Sequence, residues 1–223
     1  QLKGRLNNAL AKREGLAWAK PTGSPVLYTS PVTVEPVCDS SALLVFPYHS
    51  LPEYPIASDW RVFANEIKNV QRSLGFGRAT VCLHYYDFIN ETTRHVLQDC
   101  TYGAIDLVTV GHYMAENFIY VLRDLILSHG AVVSDRICTA GLYAEYFGRP
   151  FWVIGTPLVP DPPDPDYGLG ADRAWISEHM PEFLEPHNGN GQAARRALDE
   201  LGEEYRLTPA KLTEALYGEF IDQ

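Results

Sequence analysis

From residue 42 onward, short apolar runs alternate with longer amphipathic segments. The runs are rich in β-branched and aromatic residues and end in polar or glycine-containing turns, which is typical of strands. They lack the in-and-out alternation of a half-exposed strand, and this favours a parallel sheet covered on both faces. The five predicted strands are 42–47, 79–87, 105–112, 131–133 and 151–155.

The amphipathic segments between these runs predict four helices. The first begins at a cap on Ser58 or Asp59, carries apolar side chains at helical spacing to about Leu74, and closes at Gly75. The other three run from Asn90 to Gly103, from 116 to a C-cap at Gly130, and over TAGLYAEYFG.

Five strands alternating with four helices predict an α/β fold, a Rossmann-like, doubly wound parallel sheet over 42–156 with flanking N- and C-terminal helices. Right-handed crossovers favour this topology. Residues 1–41 predict a basic amphipathic helix over 1–19, a linker and a short strand in SPVLYTSPV. Residues 157–223 predict a crossing loop or lid rich in proline and aspartate, and then C-terminal helices that pack on the sheet domain.

Charge and composition exclude some classes of protein. The 223 residues carry a formal charge of −10, which argues against a nucleic-acid-binding protein. No apolar run approaches the roughly 18 residues needed to cross a bilayer, and the N-terminus lacks a signal peptide. We therefore expect a cytoplasmic protein with its four cysteines reduced, since their spacing fits no metal site. Because the sequence begins with Gln rather than Met, it is interpreted as a processed or trimmed piece of a longer chain.

The basic N-terminal helix has two interpretations. It could lie on a membrane surface at the inner face of the membrane, which would make the protein a peripheral membrane protein. Alternatively, it could dock on the acidic C-terminal part of the same chain.

Polar residues follow the predicted strands at their carboxyl ends, where doubly wound sheets bind ligands. Three of the seven histidines fall at three consecutive strand ends, a pattern that packing alone does not require. His84 and Asp87 have a weak metal-ligand spacing, and no metal site is expected. The strand-end candidates are Tyr48, His49, Ser50, His84, Asp87, Gly111, His112, Ser134, Asp135, Arg136 and Thr139.

The turn SDRICT, after the fourth predicted strand, also has two interpretations. Ser134, Arg136 and Thr139 could combine with the N-terminus of the next helix to bind a phosphate or diphosphate. Alternatively, Thr139 caps the helix and Arg136 faces solvent. The sequence contains no GxxxxGK[ST], and no GxGxxG follows the first strand, which argues against a P-loop NTPase and against a dinucleotide cofactor.

The run VVSDRICTAGLYAEYFGRPFWVIG resembles the nucleotide-sugar-binding half of GT-B glycosyltransferases. VTVGHYMAENFIYVLRDLI is similar to a pattern in bacterial capsule and lipopolysaccharide transferases, including those that use CMP-activated acidic sugars. The tail RALDELGEEYRLTPAKLTEAL is similar to the helical C-terminus of such proteins, so the resemblance covers about 42–216. It implies a metal-independent enzyme that needs no cofactor and transfers a sugar from a nucleotide-sugar co-substrate to a glycan or lipid-linked acceptor.

The same resemblance implies roles for individual residues. His112, which precedes Tyr113 rather than the proline of the family's His-Pro motif, would lie near the donor phosphate, and His49 would border the sugar. We take His49 and His112 as the catalytic candidates. The candidates for binding the donor phosphate, the nucleotide or the sugar are Ser50, Gly111, Ser134, Arg136, Thr139 and, as a ribose contact, Glu145.

A GT-B enzyme has two Rossmann-like domains, whereas only about 41 residues precede the predicted domain. Three interpretations therefore stay open. The chain is a glycosyltransferase or its donor-binding domain, with an N-terminal acceptor lobe missing here. Alternatively, it is another nucleotide-sugar enzyme, such as a hydrolase or an epimerase. The third is a noncatalytic binding or assembly module, because a fold does not fix a function.

Overall fold

The structure is a computed structural model that describes residues 21–29, 36–51, 53–101, 104–162, 168–188 and 191–217. Five parallel strands form one sheet in the order β3-β2-β1-β4-β5, which is the order of the Rossmann fold. The predicted α/β class is therefore confirmed. The strands are β1 (Asp39–Phe46), β2 (Arg78–Cys82), β3 (Ile105–Val108), β4 (His129–Ser134) and β5 (Phe151–Val153).

Helices connect the strands and cover both faces of the sheet. Successive strands from β1 to β3 step one way across the sheet, whereas the steps to β4 and β5 go the other way, so right-handed crossovers place the connecting helices on opposite faces. The α-helices are α1 (Trp60–Ser73), α2 (Tyr85–Ile89), α3 (Glu91–Thr101), α4 (Phe118–Leu127), α5 (Thr139–Tyr146), α6 (Arg173–His179), α7 (Gly191–Leu201) and α8 (Pro209–Tyr217). Short 3-10 helices lie at Pro25–Tyr28, Leu169–Ala171, Pro181–Phe183 and Glu203–Tyr205.

The predicted start and stop signals of α1 are confirmed. Asp59 caps the helix by accepting a hydrogen bond from Arg61 N at 2.9 Å, and the chain leaves the helix through Gly75 at φ +73°. Phe63 and Ile67 point from α1 into the core on one face of the sheet. There they meet apolar side chains of all five strands and of α3: Leu43, Val45, Val81, Leu97, Ile105, Val133 and Trp152.

Several predictions about the ends of elements are wrong. The predicted third strand, 105–112, stops at Val108. The predicted second strand stops at Cys82, and the residues after His84 form α2, in which Phe88 N donates to His84 O at 2.9 Å. Gly130 is not a C-cap but the second residue of β4, where a Cβ would collide with the backbone of Ser40 in β1. The C-cap of α4 is Ser128.

The chain forms two compact units, Gln1–Pro31 with Arg195–Gln223, and Val32–Ala194. In the first unit, Pro25–Tyr28 is a 3-10 helix, so the short strand predicted in SPVLYTSPV is wrong for these residues. The second unit contains the sheet and every candidate site residue.

The predicted boundaries at 41 and 156 and the packing of the C-terminal helices on the sheet domain stay predictions. The predicted helix over 1–19 and the helix end at Gly103 lie outside the described residues.

Within the described ranges, no helix combines the length and the hydropathy needed to span a membrane.

Candidate functional site

Five aromatic side chains stack in series along the carboxyl ends of β1, β2 and β3. We call this set the ring series, in the order Tyr48, His49, His84, Tyr113, His112. Successive ring centroids are 5.4, 4.3, 6.3 and 4.5 Å apart, with interplanar angles of 22°, 23°, 20° and 25°. The two predicted catalytic histidines are thus brought to one edge of the sheet, with the third strand-end histidine between them.

Two further tyrosines of α2 meet the ring series edge-on. The centroids of Tyr85 and Tyr86 lie 5.4 and 6.3 Å from that of His112, at 77° and 85° to its plane. Edge-to-plane contacts of this kind are favourable for aromatic pairs. His112 therefore lies in an aromatic surround, while Tyr113 keeps 54% of its surface exposed.

His84 is uncharged at neutral pH. Burial, and then the nearby His49 and His112, lower the pKa of His84 to about 4. Its Nδ1 is buried and has no hydrogen-bond partner among the residues that the structure describes. The centre of the ring series is consequently a neutral imidazole with one unsatisfied nitrogen.

Two buried carboxylates hold the loop that carries His49. Asp135 accepts a hydrogen bond from Tyr48 N at 2.7 Å, and Asp87 accepts one from Ser50 N at 2.9 Å, so the two N–H groups that flank His49 are both fixed. Burial raises the pKa of Asp87, and the hydrogen bonds from Ser50 oppose that rise. The predicted substrate residue Ser50 also accepts a bond from Ile56 N through Oγ at 3.1 Å.

Asp135 and Arg136 form a buried ion pair, which we call the clamp. Asp135 Oδ2 accepts from Arg136 Nη2 at 3.1 Å and from Leu158 N at 2.8 Å, and Arg136 Nη2 donates to Leu158 O at 2.6 Å. The guanidinium carbon lies 3.6 Å from the ring centroid of Tyr48. The clamp thereby joins the turn after β4 to the loop after β1 and to the segment after β5.

The interpretation in which Arg136 faces solvent is wrong, because the residue is only 5% exposed. Its predicted role in binding a phosphate stays a prediction, and its guanidinium already bonds to protein groups.

The other residues of SDRICT divide between interior and surface. Ser134 is buried and accepts a hydrogen bond from Arg136 N at 3.4 Å. Cys138, not Thr139, caps α5, since its Sγ accepts from Gly141 N at 3.3 Å. Thr139 is the exposed first residue of that helix.

After β3, Gly111 adopts φ +85°, which favours glycine, and its N–H donates to Thr109 Oγ1 at 3.2 Å. This tight bend immediately precedes His112. The predicted roles of Ser134, Thr139 and Gly111 in binding a nucleotide sugar stay predictions.

No family model and no curated protein matches the sequence. Among solved structures, the chain is similar to a UDP-GlcNAc 2-epimerase from Neisseria meningitidis bound to UDP-GlcNAc, with 16% identity and a TM-score of 0.35 over 73% of this chain and 44% of that one. It is also similar to S. aureus MnaA in a co-structure with UDP, with 13% identity and a TM-score of 0.37 over 72% of this chain and 36% of that one. The chain spans less than half the length of either protein. Sequence identity and structural similarity this low do not show that the chain shares the activity of either protein.

Glu145 lies apart from the other candidates. Its carboxyl accepts a hydrogen bond from Phe151 N at 2.6 Å, at the start of β5 rather than at its carboxyl end, and lies 3.1 Å from His187 Nε2. Burial raises the pKa of Glu145 from 4.5 to about 7, while the bond from Phe151 N opposes the rise. The structure thus does not bring Glu145 to the ring series, and its predicted contact with a ribose stays a prediction.

Replacing Glu145 with glutamine should flatten the pH dependence of stability. The folded wild-type protein holds the Glu145 proton up to about pH 7, whereas the unfolded chain releases it near 4.5. Its contribution to the free energy of unfolding is therefore complete below pH 4.5 and is lost as the pH rises through 7. Urea unfolding at about pH 5 and about pH 8 measures the loss, which Glu145→Gln should remove.

His187, whose Nε2 lies 3.1 Å from the Glu145 carboxyl, contributes with the opposite sign because burial lowers its pKa, so the two proteins are compared at each pH. The exposed Glu178 provides the control, since Glu178→Gln should keep the wild-type pH dependence. An unchanged pH dependence in Glu145→Gln would contradict the burial of a protonated carboxyl.

Within the part of the chain that the structure describes, no group of three or more His, Cys, Asp or Glu side chains is placed to hold a metal ion.

The sequence does not reveal the roles of two residues that organise this edge of the sheet. Asp135 stands out in the sequence only as a strand-end residue, although an acid and a base side by side after a buried strand are a signal of a buried ion pair. Tyr113 stands out only as a departure from a His-Pro motif, and no sequence signal indicates that its ring stacks between His84 and His112.

Proposed function

We propose that the chain is the donor-binding domain of a nucleotide-sugar enzyme, with a glycosyltransferase as the favoured activity. The observation that carries the proposal is the ring series, three histidines and two tyrosines stacked along the carboxyl ends of β1, β2 and β3. Doubly wound sheets bind their ligands at this edge. Small-molecule sites combine aromatic surfaces with a few convergent polar groups.

The side chains suit the two parts of such a ligand. Tyr113 is 54% exposed and so offers aromatic surface that a base or a sugar could contact. Imidazole nitrogens can donate to phosphate oxygens or move a proton near neutral pH. In the proposed reaction, the sugar passes from its nucleotide to a hydroxyl of a glycan or lipid-linked acceptor, without a metal.

The clamp supports one alternative to a phosphate-binding role for SDRICT. The Asp135 and Arg136 side chains bond to each other and to the backbone N–H and C=O of Leu158. The turn therefore has a structural function whatever it binds. If the whole edge were likewise structural, the chain would be a noncatalytic module. A hydrolase or epimerase would instead use the same site and turn over its nucleotide sugar without an acceptor.

A thermal-shift screen tests the proposal. The purified chain is heated with CMP, UDP, GDP, ADP and their sugar conjugates, and a ligand at 100 times its dissociation constant should add about 2.7 kcal/mol to the free energy of unfolding. For a chain of this size that corresponds to a rise in Tm of roughly 5–10 °C. His112→Ala should lose most of the rise, whereas the control His95→Ala, at an exposed position on α3, should keep it.

Two results would count against the proposal. The first is the absence of a shift with every nucleotide and sugar conjugate. The second is a shift that His112→Ala leaves unchanged, which would place the ligand elsewhere. Release of free sugar or of an isomerised sugar without an acceptor would favour the hydrolase or epimerase over the transferase.

A further inference from the structure

We infer that His49 and His112 hold opposite neutral tautomers and form a proton acceptor and a proton donor on the same edge of the sheet. His49 accepts a proton at Nε2, and His112 donates a hydrogen bond or a proton from Nε2. The chemical use of this pair rests on the proposed function, whereas the tautomers themselves do not.

The tautomer of His112 follows from its backbone neighbour. Met114 N donates to His112 Nδ1 at 3.2 Å. A backbone N–H can only donate, so Nδ1 must present its lone pair, and the proton of the neutral ring lies on Nε2. The hydrogen bond from Met114 N closes within a turn in which Ala115 N also donates to His112 O at 2.9 Å, so the ring is fixed by its own loop.

The tautomer of His49 follows from a neighbour of the opposite kind. His49 Nδ1 lies 3.4 Å from Ser50 O. A carbonyl oxygen can only accept, so the proton lies on Nδ1, and Nε2 presents its lone pair. None of the described residues forms a hydrogen bond with Nε2 of either histidine.

The orientation of His49 is fixed from three sides. Asp135 and Asp87 hold the N–H groups before and after it, and its ring lies between those of Tyr48 and His84. A ring held in this way cannot exchange its two nitrogens by rotation without breaking the stack. We assign Asp135 and Asp87 as positioning residues for His49.

His84 keeps the two histidines apart without adding charge. It stacks on His49 at 4.3 Å and, through Tyr113, connects to His112. Because its ring stays neutral at physiological pH, it does not repel the positive charge that His49 gains on accepting a proton. His84 therefore adds no positive charge of its own between the two histidines.

In the proposed glycosyl transfer the roles are as follows. His49 Nε2 takes the proton of the acceptor hydroxyl as the bond from that oxygen to the anomeric carbon forms. The bond from the anomeric carbon to the donor phosphate breaks, and the phosphate oxygen leaves with the electron pair, stabilised by a hydrogen bond from His112 Nε2–H. The proton on His49 then passes to water, which restores the neutral ring.

Long-range ¹H–¹⁵N NMR of the histidine rings tests the tautomers without any ligand. The spectrum of the ¹⁵N-labelled chain is recorded at about pH 8, above the range in which histidine ordinarily titrates. His49→Gln and His112→Gln each remove one set of signals, and the set that is lost is thereby assigned to that histidine in the wild-type spectrum. We expect a protonated Nδ1 in His49 and a protonated Nε2 in His112. The same tautomer in both rings would overturn the inference.

Chemical modification provides a second readout if either variant fails to fold. Diethyl pyrocarbonate acylates an unprotonated imidazole nitrogen, and mass spectrometry locates the adducts on the wild-type chain. His49 and His112 are both half-buried, so neither ring is excluded from the reagent by complete burial. We expect His49 to react several-fold faster than His112, with the exposed His95 as the reference. Equal rates, or a faster His112, would contradict the assignment.

The two proposals can fail separately. If the tautomers are as inferred but no nucleotide stabilises the chain, the proton pair stands and the nucleotide-sugar function fails. If a nucleotide stabilises the chain in a way that depends on His112 but the tautomers are identical, the binding function stands and the acceptor-donor pair fails.

Discussion

Replacing Asp135 with alanine should lower the free energy of unfolding by about 3–5 kcal/mol, the usual result of removing one partner from a buried ion pair. The side chains of Asp135 and Arg136 are only 0% and 6% exposed. In Asp135→Ala the guanidinium would stay buried without its counter-ion. In addition, Tyr48 N and Leu158 N would lose their acceptor, and each buried unsatisfied donor has its own cost. Urea unfolding of the wild type and the variant measures the difference.

The exposed ion pair between Arg78 and Asp106 is the matched control. Its nitrogen–oxygen distance of 2.9 Å is close to that in the clamp, but its side chains are 54% and 58% exposed. Asp106→Ala should therefore cost no more than about 1 kcal/mol. A loss of similar size in Asp106→Ala and Asp135→Ala would show that burial does not set the strength of the clamp.

Gly130→Ala should lower the free energy of unfolding by about 3 kcal/mol. The β1–β4 register passes from Asp39↔His129 to Leu43↔Ala131, so three residues of β1 lie opposite the one residue Gly130. A Cβ there would come 2.8 Å from both Cα and C of Ser40, and closer still to its carbonyl oxygen. Because the obstacle is backbone rather than a flexible side chain, the two central strands would have to separate.

Thermal unfolding measures the effect of Gly130→Ala, which should lower Tm by roughly 6–12 °C in a chain of this size. Gly168→Ala is the control, since no atom of the described residues lies within 4 Å of the position that its Cβ would take and its φ is not left-handed. That variant should be unchanged or slightly more stable, by less than about 1 kcal/mol. A wild-type Tm in Gly130→Ala would mean that β1 can move away from β4 at little cost.

The fold could be predicted because its signals are local. The apolar runs of β1 and β4 and the start and stop signals of α1 each lie within a few residues of the element that they specify. The prediction of an element's end was wrong where a contact with a residue distant in the sequence determines the local structure. Gly130 follows an amphipathic helix and so suggests a C-cap, but its real constraint is the backbone of Ser40, 90 residues earlier (130 − 40).

The candidate site could be predicted only in part, for the same reason. The sequence indicates where the strands end, and these positions place three histidines at the carboxyl edge of the sheet. Whether Arg136 points outward or bonds to Leu158 depends on a segment 22 residues further along the chain. Likewise, the tautomers of His49 and His112 depend on which backbone groups their rings meet, and residue spacing carries no information about that.

The strand order has a consequence for synthesis on the ribosome. The central strand β1 pairs with β4 through Leu43 and Ala131, so 88 residues (131 − 43) must be added before that partner exists. At roughly 5–20 residues per second, one edge of β1 waits about 4–18 s for β4 after β1 is made. Pairing with β2 can occupy only the other edge. During that interval, chaperones or nearby nascent chains have their best opportunity to bind the apolar run of β1.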